Sequence, residues 1–458
     1  MKVNVAGAGA GKTTKMAEHI SRFKIPEGKI VFCIAFTNAA ANNITEKVEK
    51  MLGEVPNNIK ISTIHTFLNQ ELIQPYYYLI YGQHFERISV INLPEKPKYK
   101  RSKLSELESV NILHQTQIPE KARFVAYKRS NDKKVNRIIR QKLIGFFAGY
   151  CAAIIVDEAQ DISEDVKLVL KALDKAGVDI VLYGDPKQDI KGLGQFKKII
   201  DDTKEVSYIS ESFRCPQKHL NLSNILASED EKQVAARNTE GSIKIVYESD
   251  IEDVHSFIDS GDYGLKYISM KRNRFETHKR KDIESRFETL RHEVHRAMTD
   301  KWDGQIHDLE INRGAFYITE VMIEAFDSGQ NASDIISGWV GRHAFDRLSD
   351  KRFAQMASCF IPKETENEDK PVVQSIESIK GLEAERCLFI LTTDLAPYLF
   401  QYRTEDNKTS HLLYVALTRS LDQLTILITN EVEQAYSRQF INKYLEDYCG
   451  NDIHKKSV

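Results

Sequence analysis

Through the first half of the chain, short apolar runs alternate with amphipathic stretches. Val3–Ala6, Ile30–Ala35, Ile59–Ser62, Ala153–Val156, Ile180–Tyr183 and Val206–Ile209 are rich in β-branched and apolar residues and read as buried strands. Lys12–Arg22, Ala39–Met51 and Glu164–Ala176 carry apolar residues at helical spacing between them. Strand–helix alternation of this kind predicts a parallel sheet with crossover helices. The pattern is lost from Phe67 to Phe147, where an aromatic cluster, Pro94, Pro97 and a basic helical stretch intervene. It returns with Ile243–Tyr247 and Leu265–Met270, and again with Val372–Ile376, Cys387–Thr392 and Gln423–Ile428. Between these, Phe275 to Thr365 reads as largely helical, with Phe287, Leu290, Val294 and Met298 at helical spacing, and the acidic stretch Lys363–Lys370 reads as a loop. No repeat of solenoid length is present. The expected architecture is α/β: two sheet domains, each interrupted by a mainly helical insertion. The first domain takes 1–70 and 149–238 around an insertion at 71–148. The second takes 239–274 and 371–458 around a reduced insertion at 275–370.

The strand ends carry the candidate chemistry. Ala6-Gly7-Ala8-Gly9-Ala10-Gly11-Lys12-Thr13-Thr14 lies between the first apolar run and the first amphipathic stretch. Small residues let the backbone N–H groups of Ala8, Gly9, Ala10 and Gly11 close around phosphate oxygens. Lys12 neutralises their charge, and the Thr13 hydroxyl can ligate Mg2+. Ile154-Ile155-Val156-Asp157-Glu158-Ala159-Gln160-Asp161 ends a buried strand in adjacent carboxylates. These pair naturally with the loop: Asp157 at the metal, and Glu158 activating the attacking water. Together the two elements predict RecA-like P-loop NTPase domains that use ATP and Mg2+.

Composition narrows the class. With 41% hydrophobic and 28% charged residues the chain has the make-up of an ordinary globular protein. No stretch approaches the ~20 apolar residues of a membrane span, and the first residues lack the pattern of a signal peptide. The six cysteines are scattered, with no CxxC pair, so a reduced cytoplasmic protein is expected. The net charge of −2 conceals a basic segment: Lys96–Lys142 holds 14 Lys/Arg against 4 Asp/Glu. Such segregation points to a polyanion, although a solvated helical face explains the charge about as well.

Eight motifs in order resemble those of the UvrD, Rep and PcrA branch of superfamily 1 helicases. Besides the P-loop and Asp157-Glu158-Ala159-Gln160-Asp161, Phe36-Thr37-Asn38-Ala39-Ala40-Ala41 resembles motif Ia and Ser62-Thr63-Ile64-His65-Thr66-Phe67 resembles Ib. Tyr183-Gly184-Asp185-Pro186-Lys187-Gln188 is similar to motif III, and Ser212-Phe213-Arg214 to motif IV. Ser375 to Glu383 is similar to motif V, and Tyr414-Val415-Ala416-Leu417-Thr418-Arg419 to motif VI. The resemblance implies that Gln188 senses the γ-phosphate and that Phe213 stacks on the base. It makes Arg214 and Arg419 arginine fingers, puts Glu383 at the ribose and includes Gly381 among the nucleotide-binding residues. Phe36, Thr37, Asn38, Thr63 and His65 would face single-stranded DNA. The basic insertion, through Lys128, Arg129, Lys133 and Lys134, would meet the strand or a duplex junction, with Lys271–Arg274 adding phosphate contacts.

Four features depart from that family. No segment before the P-loop supplies the usual adenine-reading Gln. Lys191 and Leu193 stand where a Tyr and a Trp stack on DNA, leaving Phe196 as the nearby aromatic. Glu377 replaces the motif V His, and 275–370 is short for the second insertion. Two functions therefore stand side by side. One is a 3′→5′ helicase or translocase on single-stranded or tailed DNA. The other is a DNA-responsive ATPase subunit that regulates a partner nuclease, resembling the compact subunits of Gabija-type antiphage systems; the expected protein partner is a nuclease or an ATPase.

Overall fold

A computed structural model describes residues 1–269, 275–277, 283–302, 305–341, 344–360 and 372–449. Its first sheet comprises β1 (Lys2–Ala6), β2 (Ile30–Ala35), β3 (Ile59–Thr63), β6 (Cys151–Val156), β7 (Asp179–Gly184) and β8 (Glu205–Ile209), with β4 (Arg87–Ser89) and β5 (Ile112–His114) forming a separate pair inside the insertion. The order is β3-β2-β6-β7-β1-β8, parallel throughout. β9 (Glu211–Ser212) and β10 (Val234–Ala235) make a short parallel pair of their own. The second sheet has β11 (Ser242–Tyr247), β12 (Leu265–Ile268), β13 (Glu276–Thr277), β14 (Val372–Ser375), β15 (Ala384–Leu391) and β16 (Ser420–Ile428). Its order is β11-β16-β15-β12-β14-β13, again parallel. These are two RecA-like α/β sheets with crossover helices.

Period-two alternation decides which residues meet which layer. On β2, Val31, Cys33 and Ala35 pack with Met16, Ile20, Ile44 and Val48 of the helices Lys12–Arg22 and Asn38–Leu52. On the opposite face Phe32 meets Phe67 at 5.2 Å and Phe147 at 6.0 Å, and Phe67 lies 6.1 Å from Phe147. The two ends of the first insertion are thus pinned to one another on the sheet they interrupt. In the second sheet, Tyr267, Phe389 and Ile426 join Leu413, Val415 and Leu417 of the helix Lys408–Leu417. Phe275, assigned from sequence to the start of the helical insertion, is buried with Ile268, Val373 and Leu388 in this sheet's other core. The predicted strand ends at Ser62 and Met270 also differ: β3 continues to Thr63, and β12 is described to Ile268. Met270, Lys271–Arg274 and Lys363–Lys370 lie outside the described residues.

The chain gathers into two compact units. One contains both sheets, from residues 1–82, 119–279 and 369–458; the other is built from 83–118 and 280–368. The segment read as one insertion at 71–148 is therefore divided between them. Inside the second unit the helix Ile283–Trp302 pairs with Asp308–Asp327 through Leu290, Val294, Met298, Ile311, Ala315 and Ile318. The helix Pro97–Ser109 joins them by a buried Lys103–Glu293 ion pair at 2.8 Å. A buried pair contributes little net stability, but neither partner can be left alone without a large cost. Part of the basic charge counted along the sequence is spent in this way: Arg140, in the first unit, is likewise buried, on Asp132 at 2.6 Å. Among the described residues no helix is long and apolar enough to cross a membrane.

Candidate functional site

The phosphate loop leaves β1 and enters the helix Lys12–Arg22 with Gly9 at φ 71° and Gly11 at φ 70°. Only glycine takes that left-handed conformation at little cost. Gly9 has a second reason: a Cβ there would stand 2.3 Å from Arg214 Cβ and 2.9 Å from Ser212 Oγ. Ala8 and Ala10 are buried, Thr14 is half-buried, and the Lys12 ammonium rests on the Ala6 carbonyl at 3.3 Å. The Thr13 hydroxyl donates to Asp157 at 2.9 Å. A hydroxyl and a buried carboxylate at the mouth of a glycine cradle are a suitable donor set for Mg2+ bound with a triphosphate. Among the described residues no group of three or more His, Cys, Asp or Glu gathers elsewhere as a metal site.

Asp157 and Glu158 sit at the end of β6 in contrasting states. Burial, then the neighbouring Glu158 charge, push the Asp157 carboxyl up to about 6, against the pull of Lys12. Burial also opposes the Glu158 charge, but Lys12, Lys380, the Gln160 hydrogen bond and Arg419 outweigh it and hold its pKa below the ordinary value. Glu158 is one of few non-glycine residues with positive φ (54°), a conformation that costs on the order of 1–3 kcal/mol and aims the side chain out of the strand. The Glu158 carboxylate accepts from Gln160, which is fully buried, and Gln160 Oε1 accepts the Asp185 N–H at 3.0 Å. Asp185 in turn accepts from Gln188 Nε2 at 2.8 Å. A continuous buried chain, Glu158–Gln160–Asp185–Gln188, therefore links the ends of β6 and β7.

The β9–β10 pair brings a further set onto the loop. Phe213 N–H donates to the Gly9 carbonyl at 2.9 Å, leaving its ring 45% exposed, and a Cβ on Gly11 would lie 3.8 Å from that ring. Ser212 Oγ and Gln233 Nε2 both donate to the Ala8 carbonyl, at 2.9 and 3.2 Å. The Tyr414 hydroxyl accepts the Ala8 N–H at 3.1 Å and donates to Gln233 Oε1 at 3.0 Å. Gln233 had no signal in the sequence, because its role depends on a two-residue strand pairing. Lys47 is a second omission: burial lowers its pKa while the Asp157 and Glu383 charges raise it.

Residues from the second sheet close around this set. Arg214 donates to Glu383 at 2.5 Å, so a predicted finger and a predicted ribose ligand hold each other. Gly381, at φ 88°, turns the chain between Glu383 and Lys380, whose ammonium meets Asp161 at 2.9 Å. Arg419 is fully buried and tied to Val415 O at 3.0 Å, Thr418 Oγ1 at 3.1 Å and Leu382 O at 3.4 Å. Burial, then the nearby Arg214 charge, lower its pKa. An unencumbered finger is not what the structure holds here. Lys187 and His411 converge on Asp406 at 2.9 Å each, with Lys197 on its other oxygen, and His411 first among them holds that carboxyl far below its usual range.

The predicted DNA contacts fall into separate groups. Phe36, Thr37 and Asn38 follow β2, with Thr37 capping the next helix through Ala40 N–H at 3.1 Å. Thr63 likewise caps the turn carrying the exposed His65. Partial desolvation, then the Lys191 ammonium, keep the His65 ring below its ordinary pKa. Lys128, Arg129, Lys133 and Lys134 are exposed around one loop between helices, far along the chain from these strand ends. Phe196 is no stacking residue: it is 2% exposed, and its ring fills the space a Cβ on Gly184 would need. Glu377 is paired with Lys408 at 2.5 Å, which offsets its charge.

Residues 1–193 match a family model described as an AAA domain. No curated protein matches the chain. Solved structures similar to it include two viral helicases. The PRRSV helicase shares 10% identity at a TM-score of 0.36, covering 95% of this chain and 53% of that one. The arterivirus nonstructural protein 10 helicase, solved in complex with DNA, shares 11% at 0.37, covering 93% and 60%. The chain thus spans little more than half the length of these relatives, and the fold assignment rests on its own sheet order and phosphate loop.

Proposed function

We propose that this protein is an ATP-dependent helicase or translocase on single-stranded DNA, moving 3′→5′. The observation that carries the reading is the buried chain Glu158–Gln160–Asp185–Gln188, which joins the candidate base to the end of β7. In the proposed cycle Ala8, Gly9, Ala10, Gly11 and Lys12 bind the phosphates, and Thr13 and Asp157 hold Mg2+, which neutralises phosphate charge when bound. Glu158 takes the proton of the attacking water. Its depressed pKa keeps it ionised for that task at neutral pH. Phe213 covers the base. Arg214 exchanges Glu383 for phosphate, and Arg419 gives up its carbonyl partners as the second sheet closes. Gln188 reports the γ-phosphate to the strand-end surface of Phe36, Thr37, Asn38, Thr63 and His65.

A second reading, a DNA-responsive ATPase subunit that regulates a partner nuclease, is favoured by one observation. Phe196 is buried, and Lys191, paired with Asp161 at 3.2 Å, and Leu193 carry no ring, so no base-stacking aromatic is offered there. ATPase with and without single-stranded DNA, beside unwinding of a 3′-tailed duplex, tests both. DNA-stimulated hydrolysis with unwinding supports the motor; stimulation without unwinding supports the subunit. Lys12→Ala and Glu158→Gln should each abolish turnover, the latter with ATP binding intact. Near-normal hydrolysis by either removes the site assignment.

A further inference from the structure

A second basic feature lies in the unit built from residues 83–118 and 280–368. The helices Ile283–Trp302 and Asp308–Asp327 run antiparallel and bring Phe287 and Phe316 edge to face at 5.3 Å. One turn along each helix from that contact, about 5.4 Å, stand Arg291 and Asn312. Both line a pocket whose walls also include Arg87 of β4 and His292. Arg87 is exposed and has no ion-pair partner among the described residues. Arg291 is paired with Glu288, also in the lining, at 2.7 Å, so the two guanidiniums exceed the local acid by one charge. His292 Nε2 is buried without a hydrogen-bond partner among the described residues. Burial first, then Lys103, Arg296 and Arg87, press the His292 ring down to about 3, so it stands neutral in a field that disfavours a cation. The same field favours an anion.

A neutral imidazole nitrogen, an amide and two guanidiniums offer more donors than a carboxylate can use, and suit the several oxygens of a phosphate. Beside them, Phe316 is 42% exposed, in contact with Phe287. With Phe287 one helical turn from Arg291, this ring pair is spaced to take a base while the guanidinium takes its phosphate. We propose that this pocket binds the phosphate of a nucleotide, free or within a strand, with its base resting on Phe316 and Phe287. The site shares no residue with the phosphate loop and stands whether or not that loop hydrolyses ATP.

The full chain carrying Lys12→Ala, which silences the first site, is titrated with inorganic phosphate, with AMP and with a short fluorescent oligothymidylate. Arg87→Ala with Arg291→Ala should weaken AMP or the strand by about tenfold or more. Phe316→Ala should weaken the same ligand yet leave inorganic phosphate unchanged. Loss confined to the strand assigns the pocket to nucleic acid, and loss that includes AMP assigns it to a free nucleotide. Should the double variant melt below its parent, Arg87→Gln alone, a surface change, carries the test with a smaller loss of about threefold. Affinities for AMP and strand that none of these variants alters overturn the proposal.

Discussion

Replacing Asp157 with Asn should make the nucleotide-free protein more stable at pH 8 while removing its capacity to hold Mg2+ with ATP. The carboxyl is 2% exposed, and burial together with Glu158 lifts its pKa from 3.8 to about 6. A carboxyl with a folded pKa above its unfolded one contributes fully below the unfolded value, and loses that contribution as pH rises through the folded value. At pH 8 the ionised Asp157 therefore costs the fold about 3 kcal/mol. Asn removes the charge and keeps an oxygen for the Thr13 hydroxyl. A unit of this size unfolds with an entropy of roughly 0.7 kcal/mol/K, so the melting temperature should rise by about 4 °C at pH 8. At pH 5 the gain should fall to about half, because the folded carboxyl is already protonated while the unfolded one is not. Thermal melts in EDTA at the two pH values measure this, with binding of an ATP analogue in Mg2+ as the functional arm. An Asn variant that melts no higher than the parent at pH 8, or gains equally at both pH values, refutes the reasoning.

Gln188→Ala should lose most DNA stimulation of the ATPase and keep more of the basal rate, since it ends the chain from Glu158; retained stimulation moves the coupling elsewhere. Arg419→Ala should cut turnover by on the order of a thousandfold with or without DNA, read by steady-state ATPase. Reversing Lys128, Arg129, Lys133 and Lys134 to Glu should weaken DNA binding and flatten its salt dependence, with DNA-free hydrolysis unchanged; an unaltered affinity makes that loop a solvated face. Gly9→Ala should lower nucleotide affinity at least about tenfold and reduce the melting temperature, because φ 71° and a Cβ 2.3 Å from Arg214 Cβ cannot both be relieved without moving the loop.

Much of this protein was legible along the chain. Residues 1–35 and 151–184 carry strands whose apolar runs and β–α alternation survive into both faces of a parallel sheet, because burial on two sides leaves a local signature; β8, read from its apolar residues as buried, is an edge strand with no buried residue. The phosphate loop and Asp157-Glu158 were legible for the same reason: their chemistry depends on residues adjacent in sequence. What depended on distant segments was not. The pairing of β9 with β10 spans two residues, too few for periodicity to register, yet it delivers Gln233 and Ser212 to the Ala8 carbonyl. Phe275 reads as helical by its neighbours and is a core residue of the second sheet, because two-residue β13 adds to an edge that only the folded sheet provides. The basic segment showed its charge but not its use. Whether a lysine is a phosphate ligand or a buried partner depends on an acid nearly two hundred residues away, as Lys103 with Glu293 shows. Sequence determines local geometry and the inventory of charges. Only tertiary structure decides which charges cancel, because the Coulomb energy depends on distance and burial and not on position along the chain.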